Sequence, residues 1–152
     1  MVMEYRPDLM GPVWCHTCFH VGRLLRFDSS GSIEPTTDER YFGRGIGTAL
    51  CRASVQWAKE HGYVAVVGLA APEGLVEFAR WSGHLPWTTY AKSGFRECPR
   101  PVPGSGYLRG EIHEPIASEI KNALRTRPVK ELLERAMVLD LQNAEPASGA
   151  DG

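Results

Sequence analysis

Three glycines alternate at Gly43, Gly45 and Gly47, inside the stretch YFGRGIGTALCRASVQWAKE that runs from Tyr41 to Glu60. Glycine strips side chains from a turn, so backbone N–H groups there can approach a ligand closely. Ile46, Leu50, Ala53, Val55, Trp57 and Ala58 follow at helical spacing. A helix starting at the loop presents unpaired N–H groups and the positive end of its dipole. That combination suits a diphosphate, although a tight turn that merely begins a helix reads the same way. Two nucleotide motifs are excluded. A phosphate-binding Gly-Lys-Ser/Thr is absent, and Thr48 stands where a dinucleotide fingerprint needs its third glycine. The polar SSGSIEPTTDER before the loop is not a strand pattern.

The second constellation is Trp14-Cys15-His16-Thr17-Cys18. A C-x-x-C after an aromatic residue suggests thiol–disulfide chemistry, which needs the first cysteine at a helix N-terminus. The residues that follow, Phe-His-Val-Gly, favour a strand instead. Cys15, Cys18 and His20 could ligate a metal with Cys98 or His16 as a fourth ligand, yet no second C-x-x-C or H-x-x-x-H is present. Cysteines packed as small hydrophobes are the remaining reading.

The elements that must position these residues are legible in outline. Pro12 to Val21 reads as a strand, with Trp14, His16, Cys18 and His20 on one face. Gly22 to Arg40 reads as a surface loop. Tyr63 to Ala71, YVAVVGLAA, suits a strand buried on both faces. Strand, glycine loop, helix and strand make a β-α-β unit with an expected right-handed crossover. Glu73 to Trp81 reads as a short helix, Ser82 to Trp87 as a turn, Thr88 to Ser93 as another helical piece, and Phe95 to Cys98 as a strand. Arg100 to Gly110 is Pro/Gly-rich linker. Ile116 to Leu124 and Val129 to Leu141 each show helical spacing, and Pro146 to Gly152 is expected to be disordered.

Length and composition set the bounds. The chain has 152 residues, one domain's worth, and a net charge of −1. That balance points to neither nucleic acid nor an anionic membrane. No apolar run is long enough to span a bilayer, and no signal peptide is recognisable. Four scattered cysteines suit reduced thiols in a cytoplasm.

Gly43 to Leu50, G-R-G-I-G-T-A-L, resembles the acyl-CoA-binding motif of the GNAT acetyltransferase superfamily, Arg/Gln-x-x-Gly-x-Gly/Ala. Gly45 and Gly47 align with the motif glycines, and Phe42 stands where Arg or Gln is usual. An alignment on Arg40, Gly43 and Gly45 restores the arginine but misplaces Leu50. Trp14-Cys-x-Thr-Cys-Phe-x-Val21 is similar to a string on the strand before that loop in some members. Tyr90-Ala-Lys-Ser-Gly-Phe95 matches a second signature, Tyr-x-x-x-Gly-Phe.

The resemblance implies acetyl-CoA, with its diphosphate cradled by backbone N–H groups of Gly43, Arg44, Gly45, Ile46, Gly47 and Thr48. Arg44 would pair with a phosphate, and backbone at Phe19 and Val21 would pair with the pantetheine amides. Tyr90 would protonate the departing thiolate. A base would take the acceptor's proton, with His16, His20 and Glu73 as candidates and His20 preferred. The acceptor would be a small-molecule or peptide amine.

The expected fold class is α/β: a mixed sheet with a β-α-β acyl-CoA-binding core, GNAT-like but lacking most of the N-terminal part, plus C-terminal helices. The resemblance covers Pro12 to Cys98, within a cofactor domain over 1–110 followed by a helical extension over 111–145. Homodimerisation is the expected cover for the exposed sheet. A non-catalytic acyl-CoA-binding relative and a C-x-x-C metal or redox protein are the alternatives.

Overall fold

The computed structural model describes residues 10–16, 18–27, 33–98 and 114–142. The linker expected over 100–110 and the tail over 146–152 lie outside these residues.

The core of the sheet is β4, Ala65–Ala71. Its unbroken apolar run needs partners on both edges, and it has them. β1, Val13–His16, pairs parallel on one side, from Val13↔Ala65 to His16↔Gly68. β7, Arg135–Asp140, pairs antiparallel on the other, from Ala65↔Asp140 to Ala70↔Arg135. β6, Arg96–Glu97, closes the sheet beside β7, giving the order β1-β4-β7-β6. The crossover from β1 to β4 contains α1, Ile46–Glu60, so the β-α-β unit forms as expected.

Two segments depart from the sequence reading. Gly22 to Arg40 is not a plain loop. It carries the hairpin of β2, Arg23–Phe27, and β3, Ile33–Thr37, in register from Arg23↔Thr37 to Phe27↔Ile33. The helix expected over Val129 to Leu141 is a 3-10 turn, Val129–Leu132, followed by β7. Ala136, Met137 and Val138 are consecutive and all buried, which a helical stripe forbids and a central strand requires. The open hydrogen-bonding edge of β4 outweighs the helical spacing.

Two layers form on the sheet. Cys51 and Ala58 of α1 pack with Val66, Ala70 and Met137 on one face, joined by Tyr90 and Phe95. Tyr90 lies in α3, Trp87–Lys92. Leu50 and Trp57, expected on the inner face of α1, are exposed, because the buried stripe runs through Cys51 and Ala58. A further cluster seats α2, Val76–Ser82, against α4, Ile116–Ala123, through Phe78, Ile116 and Ile120. The carboxylate of Glu119 in α4 accepts from the N–H groups of Glu77 and Phe78 at 3.0 and 2.9 Å, capping α2 from outside its own sequence.

Candidate active site

β1 and β4 part after His16↔Gly68. Beyond that point the β1 side of β4 is taken by β5, Leu85–Pro86, which pairs at Ala70↔Leu85 and Ala71↔Pro86. The chain leaving β1 runs beside the approach to β5, and the Phe19 N–H donates to the Gly83 carbonyl at 2.7 Å. The N–H of Phe19 is therefore already engaged, and that of Val21 donates to the Phe19 carbonyl at 3.0 Å. The backbone edge expected to meet pantetheine amides is largely satisfied by the protein itself.

A cleft of about 440 Å³ opens beside this junction. Phe19 and Val21 form one wall, the loop from Tyr41 to Thr48 another, and Leu75 to Arg80 with Gly83 to Pro86 the rest. Gly43, Arg44, Gly45, Ile46, Gly47 and Thr48 all face it. The size is that of a small-molecule site.

The glycines have different reasons to be glycine. Gly43 and Gly45 sit at φ 69° and 73°, in the left-handed region, with open space where a side chain would project. Gly45 is the N-cap of α1 and gives no side-chain bond to the helix, so the first-turn N–H groups have no acceptor from the cap. Gly47 is helical, and a Cβ there would lie 2.7 Å from Leu85 Cδ2. It admits the β5 segment against α1 rather than freeing the loop.

Tyr90 and His20 are not brought together. Tyr90 is 1% exposed and is not among the residues that line the cleft. Its ring lies against His16 and Phe95, with centroids 5.5 and 5.0 Å away. Burial, with the Cys51 and Cys18 thiols nearby, pushes its hydroxyl far above the usual phenol range. The hydroxyl and His16 Nε2 are buried without a hydrogen-bond partner. Both point at Gly68, where an added Cβ would sit 2.5 Å from the hydroxyl and 2.6 Å from Nε2.

His16 is held from its other side. Trp14 Nε1–H donates to Ser54 Oγ at 2.8 Å, and that oxygen lies 3.4 Å from His16 Nδ1. The Ser54 hydroxyl proton is thereby free to face Nδ1, which places the ring proton on Nε2. Burial lowers the His16 pKa to about 4, so the ring is neutral near pH 7. His20 is exposed and faces a smaller neighbouring cavity with Glu39, Glu77 and Trp81. Glu73 is committed elsewhere: its carboxylate accepts from the Thr88 N–H at 2.9 Å and from the Thr88 hydroxyl, at the start of α3.

One functional-looking pair escaped the sequence reading. His84 lines the cleft, and its Nδ1 is 2.5 Å from Glu134 Oε1. Fifty residues separate the two, and Glu134 falls in the segment read as helix. A lone histidine in a turn gave no signal.

The cysteines also resolve differently from their expected packing. Cys15 and Cys18 are exposed and Cys51 and Cys98 are buried, and none of the four is in a disulfide. Cys15 lies in a strand, and burial around its sulfur pushes the thiol up, opposite to a reactive thiolate. Among the described residues no group of three or more His, Cys, Asp or Glu could hold a metal ion.

Loop, uncapped helix and cleft coincide with a family match. Residues 36–80 match the acetyltransferase (GNAT) family model. The segment runs from the end of β3 through the glycine loop, α1 and β4 into α2. Over this segment the chain is similar to the GNAT family, and its mixed α/β sheet is consistent with that. No curated protein and no solved structure matches the chain. Among the described residues no helix is long and apolar enough to cross a membrane.

Proposed function

We propose that the chain is an acetyl-CoA-dependent N-acetyltransferase acting on a small-molecule or peptide amine. The observation that carries this reading is the cleft itself: the GNAT-matching loop and the uncapped N-terminus of α1 form one wall of a cavity of suitable size. The N–H groups from Arg44 to Thr48 would hold the diphosphate, with the helix dipole favouring its charge. Arg44, exposed on the loop, would add a charge-assisted bond. Phe19, Val21, Leu75 and Leu85 would cover the apolar part of the pantetheine arm. Acetyl-CoA supplies the activated thioester.

The protein's part is to fix that thioester and to manage a proton. Tyr90 serves as proton donor in this reading only if the sulfur reaches the face of Gly68; its raised pKa keeps it protonated. His20 would meet the acceptor from the adjoining cavity, which shares Val21, Phe42 and Arg80 with the cleft. A second copy pairing along the open edge of β1 belongs to the same reading.

The sealed position of Tyr90 favours a second reading, a relative that binds acyl-CoA without turnover. Release of free CoA with amine separates the two.

The test is calorimetric titration with acetyl-CoA of wild type, Gly43→Asn and Gly43→Asp. Asn and Asp both tolerate the left-handed backbone, and they differ in charge. The expected result is that Asp binds at least about tenfold more weakly than Asn, roughly 1.4 kcal/mol. Equal affinity of the two variants would count against a diphosphate at this loop.

A further inference from the structure

His84 and Glu134 form a largely enclosed polar pair. Their side chains are 13% and 6% exposed, and the Nδ1–Oε1 distance is 2.5 Å. Taking a carboxylate out of water is costly, and an apolar pair of the same volume would stabilise such a position as well or better. The pair is also held rigidly. The residue before His84 accepts the Phe19 N–H through its carbonyl, and the residue after it begins β5 and presses on Gly47. The His84 N–H itself donates to Ser82 Oγ at 3.2 Å. Glu134 stands immediately before β7, so the strand at the sheet centre anchors the carboxylate.

This arrangement decides the tautomer. A carboxylate at Nδ1 accepts a hydrogen bond, so Nδ1 carries the ring proton and Nε2 keeps a lone pair. Among the described residues no hydrogen bond engages Nε2, and His84 lines the same cleft as the glycine loop. A base oriented by a third group and presented to a substrate cavity is the geometry of general-base catalysis.

We propose that His84 is the catalytic base of the amine acceptor and that Glu134 is its positioning residue. The proposal rests on the acetyl-transfer reading. The amine nitrogen bonds to the thioester carbonyl carbon while the carbon–sulfur bond breaks. The electron pair leaves with sulfur, and the proton lost by nitrogen goes to His84 Nε2. Glu134 holds the resulting imidazolium through Nδ1–H. The proton then passes from Nε2 to the thiolate, directly or through solvent, giving amide and free thiol. His84 lines the cleft itself, whereas His20 lines the adjoining cavity and the Glu73 carboxylate is hydrogen-bonded to Thr88.

The experiment measures acetyl-CoA affinity by calorimetry and CoA release by thiol titration, with n-butylamine as the probe acceptor. Wild type is compared with His84→Gln, Glu134→Gln and Glu134→Asp, each checked for a native melting transition. His84→Gln is expected to lose about a hundredfold or more in kcat, with acetyl-CoA affinity unchanged. Glu134→Gln is expected to lose about tenfold or more in kcat at constant KM for the thioester. Glu134→Asp, which keeps the carboxylate, recovers part of that loss. His84→Gln turning over at the wild-type rate would overturn the dyad and leave the cofactor reading standing. So would a wild type that binds acetyl-CoA but releases no thiol. Failure of wild type to bind acetyl-CoA would overturn the underlying reading.

Discussion

At the scale of single residues, His16 shows how burial without pairing is written into stability. Its ring is 8% exposed, and its pKa falls from 6.5 to about 4 because the charged form loses hydration. The unfolded chain therefore binds a proton that the folded chain refuses between about pH 6.5 and pH 4. Stability is full above the unfolded pKa and is lost as pH falls through that window, by on the order of 3 kcal/mol. Melting temperatures of wild type and His16→Gln across this range should converge as pH falls, the variant being less sensitive to acid. Parallel curves would show that His16 titrates normally. Such a role was not legible in the sequence, where His16 stood as a candidate ligand or base. What decides it is the enclosure by Ser54, Gly68 and Tyr90, which come from elements far from β1 in the chain.

At the scale of elements, the β-α-β unit was legible because each part has a local cause. The apolar run of β4, the left-handed glycines before α1 and the His61-Gly62 stop after it speak for themselves. The C-terminal strand was not. Leu132, Leu133, Ala136 and Met137 satisfy a helical period, and only the vacant edge of β4 selects a strand. β5 was hidden for a related reason, since a two-residue strand leaves no pattern. Gly68 is the position where these elements test one another. A methyl group there meets Tyr90 and His16 below 3 Å, and neither ring has room to withdraw into the packed face of α1. Gly68→Ala should therefore cost about 1–3 kcal/mol in chemical denaturation, although alanine otherwise suits a strand better than glycine. A neutral or stabilising effect would mean that the two rings are less confined than their contacts indicate.

At the scale of the whole molecule, the glycine loop, the GNAT match and the cleft converge on one side of the sheet, where β1 and β4 diverge. The loop residues that line the cleft could be read from the sequence as a contiguous group, because a phosphate cradle is built from neighbours along the chain. Its catalytic candidates fared differently. Tyr90, in the Tyr-x-x-x-Gly-Phe string, is buried and is not among the residues lining the cleft, while the His84–Glu134 pair joins a turn to the residue before a strand fifty residues on. Catalytic pairs assembled across topology leave no spacing to read. The central claim is that main-chain amides at the mouth of α1 grip the charged end of a thioester carrier. It is tested most directly by amide NMR of the full-length, isotope-labelled chain titrated with acetyl-CoA. The account predicts the largest shifts at the N–H groups of Arg44 to Thr48, with smaller changes at Phe19, Val21 and His84. Saturating acetyl-CoA that leaves the loop amides unmoved would contradict it.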